Sequence, residues 1–327
     1  MGVGIHFDLR NPPGWARPPA AVYSRALEIA SAAEEMGATS LWASEHHGFE
    51  DGYIPQPLTF LAAVAARTSR ARLGTMVLLS PFRSAVTVAE EAAVVDLISG
   101  GRLDLALGAG YHRREFDLHG ADFGDRFRTT DRQVAGLRRI WAEGRVTPPP
   151  AQDPIPLWLG YLGVQGARRA GRMGAGLLSL RREQHEPYLA GLREGGHGEA
   201  AARLSGPVQG VLARDPERAW ARIRQHLSQH RDSYHSYAAE GTGQPAPPPI
   251  DPEEWRRQPD DPAELPKFLV DTPESAAERL NRYLGGRPVR DVIFWASTGG
   301  MPDDLVEENV ELVCRELAPR LLTLDRG

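Results

Sequence analysis

Short apolar runs alternate down this chain with longer segments of helical period, and a parallel sheet with crossover helices is the arrangement that imposes such an order. The strand-like runs fall at Val3–Asp8, Ser40–Ser44, Ala71–Leu79, Arg102–Leu107, Pro156–Gly160, Leu177–Leu180, Pro207–Ala213 and Asp291–Ala296. Helices are predicted over Ala21–Met36, Pro57–Arg67, Ala85–Ile98, Thr129–Ala142 and Gly166–Met173. Others start near Asp215-Pro216, where Asp caps and Pro takes the first turn, and at Asp271-Thr272-Pro273-Glu274; Pro302–Leu317 closes the series. These units suffice to close a (β/α)8 TIM barrel, expected as a single domain over 1–327. The competitor is an open doubly wound sheet. Leu105-Ala106-Leu107-Gly108-Ala109-Gly110 resembles part of its dinucleotide fingerprint, but the third glycine is missing, no helix starts at once, and the unit is the fourth in the chain.

From about Asp232 to Lys267 the periodicity fails and Pro, Gly and charge dominate, as in Pro245-Ala246-Pro247-Pro248-Pro249. A long insertion after the seventh unit is therefore expected, either a lid over the barrel rim or a passive surface excursion. With 38 basic against 43 acidic residues the chain lacks the positive footprint of a nucleic-acid or anionic-membrane binder, so a small-molecule partner is favoured. No apolar stretch reaches membrane-spanning length, and the strand-like start lacks a signal peptide's features; the expected location is cytoplasmic. One cysteine, Cys314, excludes disulfides within the chain and reads as a buried thiol.

A TIM barrel builds its active site at the C-terminal ends of its strands. There the sequence places Glu45-His46-His47, Ser80-Pro81-Phe82-Arg83, Gly110-Tyr111-His112-Arg113-Arg114-Glu115 and Tyr161-Leu162-Gly163. Glu45-His46-His47 invites a metal, but adjacent side chains diverge and no third ligand is suitably spaced, so no metal is expected. An imidazole at this position can move protons near neutral pH, though a lone barrel histidine is more often structural.

The string Leu41-Trp42-Ala43-Ser44-Glu45-His46-His47, then Arg72-Leu73-Gly74-Thr75, then Asp96-Leu97-Ile98-Ser99-Gly100-Gly101-Arg102, resembles the bacterial-luciferase-like flavin-dependent monooxygenases. Gly108-Ala109-Gly110-Tyr111 with Glu115-Phe116, and Pro156-Leu157-Trp158-Leu159-Gly160 with Ala167-Arg168-Arg169-Ala170-Gly171, continue it. The likeness is dense over Ile5–Gly176 and sparse afterwards. It implies that His46 is catalytic, with Glu45 beside it and His47 orienting or packing. It also implies a non-prolyl cis peptide at Met76-Val77 beneath the flavin ring, with Ala109 and Tyr111 beside the cofactor. Leu162, Gly163 and Gly166 take the place of the phosphate-contacting backbone, a helix from Gly166 aiming its positive end at the anion. Two departures stand out: Gly163 replaces a common serine, and Ala109 replaces the phosphate-binding arginine of bacterial luciferase, for which Arg126 or Arg128 could compensate.

The resemblance implies a monooxygenase that takes reduced FMN from a separate flavin reductase, uses O2, and oxygenates a small organic substrate. The alternative is a deazaflavin-dependent hydride-transfer enzyme of the same fold. Some sugar-oxidising relatives carry a glutamate where this chain has Tyr111, which favours FMN. A noncatalytic accessory subunit is a third reading, opposed by the retained histidine. The resemblance further implies a homodimer, for which Thr87, Glu91, Val94, Val95 and Ile98 offer a face. Phe49, Tyr53, Phe82 and Trp295 suggest an apolar or aromatic pocket.

Overall fold

A computed structural model describes residues 1–261 and 264–321. Residues 262 and 263 of the expected insertion, and 322–327 of the expected single domain, lie outside the described residues. Eight parallel strands form the barrel: Gly2–Phe7, Ser40–Ala43, Arg72–Thr75 resuming at Leu78–Leu79, Leu103–Gly108, Leu157–Leu159, Gly176–Leu178, Leu204–Val208 and Val289–Trp295. The first strand pairs with both the second and the eighth, and the third with the fourth, so the sheet closes on itself. An open doubly wound sheet would leave two free edges, and closure excludes it.

Helices surround the strands where the apolar period placed them, with boundaries set by capping chemistry. Ser84 accepts a hydrogen bond from the Thr87 amide to open Ala85–Ser99, which Gly100 ends in the left-handed conformation at φ 68°. Asp215 caps Pro216–Ala239 and Thr272 caps Pro273–Leu284, each with proline in the first turn. Among the described residues no helix is long and apolar enough to cross a membrane.

Several expectations are corrected. The third strand is interrupted at Met76-Val77, which is a cis peptide as the resemblance implied. The seventh run divides: Leu204–Val208 joins the barrel, whereas Gly210–Leu212 pairs with Leu269–Asp271 in a separate two-stranded parallel sheet. The helix expected from Gly166 begins at Gly163. The insertion is not irregular from Asp232, because Pro216–Ala239 continues as helix through that point and Pro252–Arg256 forms a short helix. The buried apolar stripe of Ala219, Trp220, Ile223 and Leu227 ends before Asp232, and His230 is the last buried position of the helix, so the apolar pattern fades where the helix continues. Helices Arg113–His119 and His185–Glu194 were not anticipated. In the second, Gly191 is no breaker: a Cβ there would strike the Arg168 backbone, so glycine permits close crossing with Gly163–Arg172.

The barrel interior is filled in layers. The indoles of Trp42 and Trp158 meet edge to face, centroids 6.4 Å apart, among Ala106, Leu178 and Ile293. Gly4 and Gly74 leave room for Trp42 and Gly176 for Trp158, since a Cβ at any of them would run into the ring. Toward the N-terminal ends, Asp104 accepts from Trp158 Nε1 at 3.1 Å and pairs with Arg72 at 2.6 Å and Arg290 at 2.9 Å. The plug closes the barrel from beneath, so a ligand cavity can open only at the C-terminal rim.

Candidate active site

At that rim lies a cavity of about 340 Å³. Its floor is the interrupted third strand. Val77 lodges between Gly108 and Gly160, where a Cβ on either glycine would collide with its side chain. The bare backbone of the fourth and fifth strands is thus what admits Val77 and leaves a flat surface above it.

His46, at the end of the second strand, is buried on the cavity wall. Its Nδ1 lies 2.9 Å from Oε1 of Glu115, and the same oxygen accepts the His47 amide at 2.7 Å. A carboxylate only accepts, so Nδ1 carries the proton and Nε2 is the nitrogen left for a ligand. Phe49 stacks on the imidazole at 4.6 Å and Tyr53 meets it edge-on at 4.7 Å, fixing the plane of the ring.

Glu45 has both oxygens committed. Oε1 accepts from His47 Nε2 at 2.6 Å and pairs with Arg83 Nη1 at 2.5 Å, while Oε2 accepts the Leu79 amide at 2.7 Å. The carboxylate therefore ties the second strand to the resumed third strand. His47 points away from the cavity, its ring edge-on to Phe82 and His119.

The aromatic wall comes partly from the last turns of Pro216–Ala239, beyond the point where the sequence pattern ended that helix. Tyr53 OH bridges Ser44 Oγ at 2.8 Å and Tyr234 OH at 2.7 Å. Arg10, paired with Asp51 at 2.5 Å, lies over both tyrosine rings. Burial pushes the Tyr53 and Tyr111 hydroxyls well above their ordinary range and Tyr234 up to about 12, so all three stay protonated at neutral pH.

On the other side Arg126 faces the cavity, over the rings of Phe123 and Phe127. Its Nη1 donates to the Phe123 carbonyl at 2.8 Å, and its buried Nε has no partner. Arg128 is paired with Asp125 instead, its side chain largely exposed. Beside Arg126, Leu162 caps the helix that begins at Gly163, whose φ of +73° favours glycine. Gly166 is glycine for another reason: a Cβ there would press on Tyr161.

Of the residues singled out in the sequence, Glu45, His46, Met76, Val77, Ala109, Tyr111 and Leu162 share the cavity wall, whereas Gly163 and Gly166 stand just behind it. Tyr53 and Trp295 line it; Phe49 and Phe82 pack beside it. Glu115 was named beyond the fourth strand, though not as the partner of His46; Tyr234 and His6 were missed. His6 carried a signal, lying near the end of the first strand two residues beyond the inward Gly4.

A family model described as luciferase-like monooxygenase matches residues 2–287. The F420-dependent glucose-6-phosphate dehydrogenase of Amycolatopsis mediterranei is 30% identical over 183 residues, covering 50% of this chain and 55% of that protein. The oxygenase component of flavin-dependent trigonelline monooxygenase from Acinetobacter baylyi is 29% identical over 122 residues, covering 37% and 34%. The chain thus spans about half or less of the length of these curated relatives. In fold it is similar to monooxygenase RslO1 from Streptomyces bottropensis, with a TM-score of 0.81, 24% identity, and coverage of 98% and 99%.

Proposed function

Because the chain belongs to the luciferase-like monooxygenase family, we propose that it is the oxygenating component of a two-component system, taking reduced FMN from a separate reductase and using O2 to oxygenate a small organic substrate. The observation that carries this reading is the distribution of charge. Among the described residues Arg126 is the only guanidinium or ammonium group on the cavity wall. One cation suits one phosphate, that of the flavin; a dehydrogenase of sugar phosphates must hold a second on its substrate. The rest of the wall is largely aromatic and backbone.

Bound there, reduced FMN supplies the electrons for oxygen activation. Arg126 and the amides at the start of Gly163–Arg172 hold the phosphate, the unpartnered Nε and the helix N-terminus both offering donors. The Met76-Val77 backbone supports the ring, with Ala109 and Tyr111 beside it. His46 moves the proton through Nε2, held in its tautomer by Glu115; Glu45 positions the two segments that frame it. Tyr53 and Tyr234 exclude water.

Arg126→Ala is expected to weaken FMN about tenfold, the loss of roughly one charged hydrogen bond, and riboflavin much less. Fluorescence titration of both ligands checks this, and equal weakening would remove Arg126 from the phosphate site. A homodimer belongs to the same reading: Val86, Val94, Leu97 and Ile98 are exposed on Ala85–Ser99, whereas Val95 of the expected face is buried. The similarity to an F420-dependent dehydrogenase favours deazaflavin hydride transfer as the second reading, which His46 would also serve. With a flavin reductase, NADH and ¹⁸O2, a panel of aldehydes, ketones and aromatics should yield product containing one ¹⁸O atom. Oxygen-independent reduction of the deazaflavin by an alcohol would establish the second reading instead.

A further inference from the structure

The cavity has two chemically distinct halves. Met76, Val77, Ala109, Tyr111, Arg126 and Leu162 line the part assigned above to the flavin; His6, Ser44, Tyr53, Pro207, Tyr234 and Trp295 line the rest, Tyr111 and Tyr234 meeting where the two join. His6 and Trp295 are register partners at the ends of the first and eighth strands. Gly4 and Ile293 meet inside the barrel, and two residues further along each strand the side chains again project inward. The two rings pack edge to face with centroids 4.9 Å apart.

Three nitrogens on this wall, Nδ1 and Nε2 of His6 and Nε1 of Trp295, are buried without a hydrogen-bond partner. A buried polar group left unsatisfied is costly, and three together in a cavity mark the place where a partner enters. The kind of partner follows from the groups. Trp295 only donates, so it needs an acceptor. Burial holds His6 down to about 3, so its ring is neutral and offers one donor and one acceptor but no positive charge.

Of the guanidiniums packed over Tyr234, Arg10 is committed to Asp51, and Arg231 lies between the Tyr234 and Trp255 rings, off the cavity wall. Asp8 lies beside Arg10, its carboxyl pushed up by burial to about 6, and it adds no positive charge to this side of the cavity. His230, 3.9 Å from Asp8, is held neutral by burial, with Arg10 and Arg231 adding to the effect. The rings of Tyr53, Tyr234 and Trp295 present flat apolar faces to whatever is bound.

We propose that this half of the cavity is the substrate subsite and takes an uncharged aromatic molecule bearing a carbonyl or hydroxyl oxygen, which Trp295 Nε1–H and His6 hold by hydrogen bonds. The assignment rests on the reading that the flavin occupies the opposite half.

Isothermal titration of the full-length protein without flavin tests it, using 2-acetylnaphthalene, 1-naphthol, naphthalene and 2-naphthoate. The two oxygen-bearing neutral probes should bind at least about tenfold more tightly than naphthalene, and the carboxylate more weakly than either. Trp295→Phe, which keeps the aromatic face and removes the N–H, should weaken 2-acetylnaphthalene about tenfold and leave naphthalene nearly unchanged. Equal binding of naphthalene and 2-acetylnaphthalene, tighter binding of 2-naphthoate, or an equal effect of Trp295→Phe on both neutral probes would overturn the proposal. The ranking on the unaltered protein decides the matter even if the variant fails to fold. Titration with FMN separates the two readings: lost FMN binding with the probe ranking intact removes the cofactor assignment alone, and a failed ranking with FMN bound removes this one alone.

Discussion

His46→Ala is expected to lower turnover by about 10²-fold or more while changing flavin affinity far less. The imidazole reaches the cavity from the end of the second strand, with Glu115 holding Nδ1 and leaving Nε2 for the reacting partners. Removing it deletes the proton-carrying group but leaves Val77, Gly108 and Gly160 in place as the floor. Glu115→Gln should lose less. The amide can still accept from Nδ1 and from the His47 amide, but without the carboxylate's charge, so the pH profile should shift while FMN binding holds. Steady-state rates with reduced FMN supplied by a reductase check both. Unchanged turnover in His46→Ala would end its catalytic assignment.

Trp158→Ala should destabilise the protein by about 3–5 kcal/mol, the usual cost of removing a large aromatic side chain from a filled interior. The indole is fully buried against Trp42, its Nε1 donates to Asp104, and Arg290 lies 4.6 Å from the ring centroid. Gly176 sits directly against the ring and has no side chain to move into the space the alanine variant would leave. The midpoint of denaturant unfolding reads the loss, and a change below about 1 kcal/mol would show that the plug repacks. The plug lies beneath the Met76-Val77 floor, so FMN affinity should fall with stability in this variant.

The barrel was legible because its eight strands are short apolar runs between helices with strong stops, such as Gly100 after Ala85–Ser99. Much of the cavity wall was legible for a related reason. Glu45, His46, Met76, Val77, Ala109 and Tyr111 all stand at or just beyond strand ends within the part of the chain where the family resemblance is dense. What escaped was carried by long-range partnership. Glu115 reaches His46 across 69 positions, and nothing local in Arg113–His119 announces that contact. Tyr234 lay beyond Asp232, where the helix expected from Asp215-Pro216 was read as having ended, because its buried stripe stops at His230. The expected lid changes for the same reason. The part that reaches the cavity is the end of that helix, while Pro245–Pro249 is mainly exposed on the outside and absent from the cavity wall. His185–Glu194 was not read as an element at all, and Gly191 within it serves close packing on Gly163–Arg172.

Anaerobic titration of the purified protein with reduced FMN and with the reduced deazaflavin separates the two cofactors. Among the described residues Arg126 is the one guanidinium or ammonium group on a wall otherwise formed by rings, neutral side chains and Glu45. FMN should therefore bind at least about tenfold more tightly, a difference of about 1.4 kcal/mol. Tighter binding of the deazaflavin would contradict the assignment and make this chain a hydride-transfer enzyme.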